Sequence, residues 1–142
     1  MTYAIGYLIY GLDATEASDP FQKAFFQALY QNPKDFETLL DIEASDFTEG
    51  DFDEIEEEYS EIFTEVLDLW TTYRGCDPVP IAFGVELGHF DETESLTLQE
   101  LQKRAEVTQN HRIQYQQLLE KLPACLQQIL PQPQVIIVWG SS

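Results

Sequence analysis

Six consecutive residues, His89-Phe90-Asp91-Glu92-Thr93-Glu94, bring together one imidazole and three carboxylates. Donors this close could hold a divalent ion, since imidazole suits zinc and manganese and hard cations take carboxylate oxygen. On an extended chain His89 and Asp91 would share a side. A site of defined geometry needs a further ligand, and the other histidine, His111, would have to arrive through the fold. His89, Asp91, Glu92 and Glu94 are therefore candidate metal ligands, set against the simpler reading of a solvated surface turn.

Three other constellations were tested the same way. The stretch Asp46 to Glu56 resembles a calcium loop in composition but fails in register. With Gly50 as the sixth loop residue, the first ligand would be Ser45 and the third Phe47, and a phenyl ring cannot coordinate. Loose cation binding by the clustered carboxylates is all that composition supports there. Cys76 with His89 or His111 could pair a thiol with a base, but no local signature surrounds it, and Cys125 lies in a leucine-rich stretch that suits a small buried side chain. Arg112 falls on an apolar stripe. There it would anchor a substrate anion, pair with an acid, or lay its stem over the core with its head in water. Phosphate-binding glycine loops and nucleophile-elbow motifs are absent. No cofactor is implied, and the residues favour a binding protein over an enzyme.

The strongest signal is charge. The chain has 142 residues and a formal net charge of −19. From Asp35 to Asp68 there are fifteen acids and no Lys or Arg; the other 108 residues carry eleven acids against seven bases. Adaptation to salt or a need for solubility would acidify the whole surface, whereas here one segment is acidic and the rest is nearly balanced. Within it, Ile55, Tyr59, Ile62, Phe63, Val66, Leu69, Trp70 and Tyr73 fall in an arc of about 120° at helical period. Glu54, Glu57, Glu58, Glu61, Glu65 and Asp68 occupy an adjacent arc of roughly 100°. The pattern predicts a helix over 53–73 with one buried face and a carboxylate stripe beside it. Like charges three and four residues apart cost about 0.2–0.5 kcal/mol per pair, and no cation is placed to relieve them.

The elements that would position these groups come next. Residues 3–10, rich in Tyr and Ile, predict an apolar central strand. Asp19-Pro20 predicts a helix to about Tyr30, and Asn32-Pro33 a second over 33–42. An acidic loop should span 44–53. Strands are expected near 80–88 and 134–139. Thr97 with Glu100 matches a capping box opening a helix over 97–122. Its inner positions would be Leu98, Leu101, Ala105, Thr108, Arg112, Tyr115, Leu119 and Leu122. Pro123 ends it, and a short helix follows to Leu130. The expectation is an α+β fold over a single domain, 1–142: a small mixed sheet of about three strands packed with several helices.

Apolar residues make up 44% and aromatics 13%, enough for a packed core without disulfide or metal. No basic leader and no apolar run long enough for a membrane helix is present, and two widely spaced cysteines suit a reducing cytoplasm. A chain this acidic repels nucleic acid and anionic membranes and attracts basic proteins. The expectation is an acidic protein-interaction module that binds a basic surface, in its sharper form an inhibitor or nucleic-acid mimic directed at a nucleic-acid-binding protein. Its binding surface would be the stripe from Glu54 to Asp68. The alternatives are an accessory subunit with an apolar interface, around the first strand or the last helix, and a metal-dependent protein using the His89–Glu94 turn.

Overall fold

A computed structural model describes residues 4–14, 20–41, 69–74 and 77–141. Four strands form one sheet: β1 (Ala4–Asp13), β2 (Trp70–Arg74), β3 (Asp77–Asp91) and β4 (Gln134–Ser141), in the order β2-β3-β1-β4. The helices are α1 (Pro20–Gln31), α2 (Glu37–Leu40), α3 (Leu98–Arg104), α4 (Gln109–Glu120) and α5 (Ala124–Ile129), with a 3-10 turn at Pro33–Phe36. The α+β class is as expected. The sheet differs in two respects: it has a fourth strand, and every pairing in it is antiparallel.

The fourth strand corrects the end of the helix expected over 53–73, whose residues 53–68 lie outside the described residues. Leu69, Trp70 and Tyr73 satisfy a helical period, yet Trp70–Arg74 pairs with β3. The run Trp-Thr-Thr-Tyr is β-branched and aromatic, which suits a pleated surface better than a helix. β3 is longer than expected and absorbs two irregularities. Trp70 faces Ala82 while Thr71 faces Pro80, so Ile81 is an extra residue. Leu8 faces Gly88 while Ile9 faces Glu86, so Leu87 is another. Each such bulge bends the strand and lets a residue turn toward either face. Pro78 and Pro80 sit where β3 is paired with β2 alone, since β1 joins it from Ala82 onward. A residue without an N–H is tolerated on such a singly paired stretch.

One face of the sheet carries the helices. Leu12 and Phe83 pack there with Phe21, Phe25, Leu29, Phe36, Tyr115, Leu122 and Leu126, all buried. In α1 the buried positions Phe21, Ala24, Phe25, Ala28 and Leu29 recur at helical spacing, and fully burying each large side chain contributes about 1.5–3 kcal/mol. Phe21 stacks on Phe83, with ring centroids 5.1 Å apart. On the opposite face a smaller cluster of Ile9, Ile81, Ala82 and Val138 is flanked by Tyr7, Trp70 and Ile136. Trp70 is fixed there by its indole N–H, which donates to the Gly84 carbonyl at 3.0 Å.

β1 and β3 approach closely at Gly11 and Gly84, which face each other. A Cβ on Gly11 would collide with the Phe83 carbonyl oxygen, and one on Gly84 with that of Tyr10. Glycine is required by this proximity of two backbones.

The long helix expected over 97–122 is two helices. Thr97 caps α3 as anticipated, its hydroxyl accepting from the Glu100 amide at 3.1 Å. α3 ends at Arg104, and Thr108 caps a new helix. The Thr108 hydroxyl accepts from the His111 amide, and His111 Nδ1 accepts from the Thr108 amide at 3.1 Å. Two otherwise orphaned donors are thus satisfied, which makes the break favourable. The inner stripe accordingly fails in its first half: Leu98 is 70% exposed, and Thr108 and Arg112 are exposed. It holds from Tyr115 to Leu122, both buried.

Candidate interaction surface

The six residues of the carboxylate stripe, Glu54, Glu57, Glu58, Glu61, Glu65 and Asp68, lie outside the described residues, as does the acidic loop before them. What the structure supplies is how the chain enters and leaves that segment. Before it, Phe36 is fully buried among Phe25, Leu29 and their neighbours, and Asp41 stops α2 in a left-handed conformation (φ 54°). After it, Leu69 is buried in the same cluster and β2 begins at once. Both ends of the acid-rich segment are therefore tied to one core.

The other candidate acids are committed to local structure. Glu92 Oε1 accepts from the Ala4 amide at 3.1 Å, closing the end of the β1–β3 ladder. Asp91 Oδ1 accepts from the Thr93 amide and hydroxyl, both at 2.9 Å. Glu94 reaches back to the Asp91 amide at 2.7 Å and pairs with Arg104 at 3.2 Å. The hydrogen bond from Asp91 and then the guanidinium hold the Glu94 carboxyl below its usual range. Arg104 also donates to the His89 carbonyl at 3.1 Å, which ties α3 to β3. The His89 ring points instead to Glu86, 3.5 Å away. The turn is thus a self-satisfied structural unit. No three His, Cys, Asp or Glu side chains among the described residues are grouped to hold a metal ion.

Cys125, on α5, is a free thiol and half-buried. Burial, and then a hydrogen bond with Asp35, push its pKa up, so it stays protonated and poorly nucleophilic. Cys76 lies outside the described residues. Arg112 lays its guanidinium over the Tyr10 ring, 5.6 Å from the centroid, and donates to the Tyr10 hydroxyl at 3.3 Å. Of the three roles open to it, this is the stem over the core with its head in water.

Of the two places where an apolar interface was expected, the first strand is the covered one, while the last helix exposes Ile129. β1 is central and largely buried. Among the described residues the exposed large apolar side chains are Val135, Ile137 and Trp139 on β4, Ile129 on α5, Tyr30 on α1, Leu98 on α3 and Ile113 on α4. The sequence carries no signal for the exposure on β4, because every residue from Val135 to Trp139 is apolar and no alternation marks an outer side.

No helix among the described residues is long and apolar enough to cross a membrane. Comparison with known proteins finds no matching family model, no similar curated protein and no similar solved structure.

Proposed function

We propose that the protein is an acidic interaction module that binds a basic surface on a partner protein. The observation that carries this reading is the run of fifteen acids from Asp35 to Asp68 with no base among them. A segment selected only for solubility would not concentrate repulsion in this way. Two features support it. Phe36, near the start of the segment, and Leu69, just past its end, are buried in one core. The other chemistry-bearing groups, the His89–Glu94 turn, His111 and Arg112, are occupied in holding elements together. In the sharper form of the proposal the partner binds nucleic acid and the carboxylates stand in for phosphates. Carboxylates three or four residues apart on a helix sit about 5–6 Å from one another, a scale close to that of backbone phosphates.

The test is a variant with Glu54, Glu58, Glu61 and Glu65 changed to Gln and Asp68 to Asn, used beside the parent as bait in host lysate. The expected result is a basic protein held by the parent and lost from the variant, with circular dichroism unchanged. Equal retention by both baits would overturn the proposal.

A further inference from the structure

No further inference is drawn: the strongest candidate, the cleft where the end of β1, the start of α1 and the approach to β4 meet, lined by Leu12, Asp13, Phe21, Pro131 and Ile136, is apolar with a single carboxylate among its walls, and nothing in the structure shows what covers it.

Discussion

Tyr115 is 4% exposed, yet among the described residues its hydroxyl has no hydrogen-bond partner. Its ring is well used, meeting Tyr10 and Phe83 edge-on at 5.3 and 5.7 Å. Replacing it with Phe keeps those contacts and removes an unpaired polar atom, whose desolvation costs about 1–3 kcal/mol. Tyr115→Phe should therefore stabilise the protein by about 1 kcal/mol at neutral pH, or roughly 3–4 °C in melting temperature for a domain of this size. The same residue predicts a pH dependence. Burial, and then the neighbouring Tyr10, raise the Tyr115 pKa above its ordinary value near 10. The unfolded chain then loses this proton at lower pH than the folded one. Its contribution is fully present below about pH 10 and is lost as pH rises toward the folded pKa, at up to about 1.4 kcal/mol per unit. Urea unfolding of both proteins at pH 7, 9, 10 and 11 reads the difference directly, because the remaining tyrosines are common to both. The gap in favour of the Phe variant should widen above pH 10. A Phe variant less stable than the parent at pH 7, or a gap constant with pH, would refute the reasoning: the hydroxyl would then have a partner, or water would reach it.

Further outcomes follow from the same geometry. Thr108→Ala removes the cap that opens α4 and should cost about 1 kcal/mol in urea unfolding, with Thr108→Ser close to the parent. Gly11→Ala sets a Cβ against the Phe83 carbonyl oxygen and should destabilise by about 1–3 kcal/mol or more through forced separation of β1 and β3. The Glu94 carboxyl should titrate below the ordinary range by carbon-13 NMR, and Arg104→Gln should move it upward. Any stability it confers is present above the unfolded pKa and lost as pH falls through the folded one.

Much of this fold was legible because local and tertiary preferences agree. Pro20 opens α1, Pro33 opens the next turn, Thr97 caps α3, and the Tyr- and Ile-rich first strand is the central one. The misreadings came where two signals compete. The helical period of Leu69, Trp70 and Tyr73 continues an upstream pattern, but the pairing offered by β3 and the β-branched threonines prevail. The apolar spacing through 97–122 hides a break because His111, an uncommon third residue for a capping box, closes the cap at Thr108. Strand direction was not legible: helices between strands suggested a mixed sheet, while a central β1 takes antiparallel neighbours on both sides. For the candidate surfaces, composition located the acid-rich segment. The exposure of β4 depends on where the helical layer ends, and an all-apolar strand does not reveal that.

The central claim is that the acid-rich segment attracts a basic partner. The most direct measurement is capture by the 142-residue chain from host lysate, washed first at low and then at high salt, with mass spectrometry of each fraction. The account predicts a basic protein, in its sharper form a nucleic-acid-binding one, retained at low salt and released when salt screens the exposed charges. A partner that withstands high salt, or the absence of any partner at low salt, would contradict it.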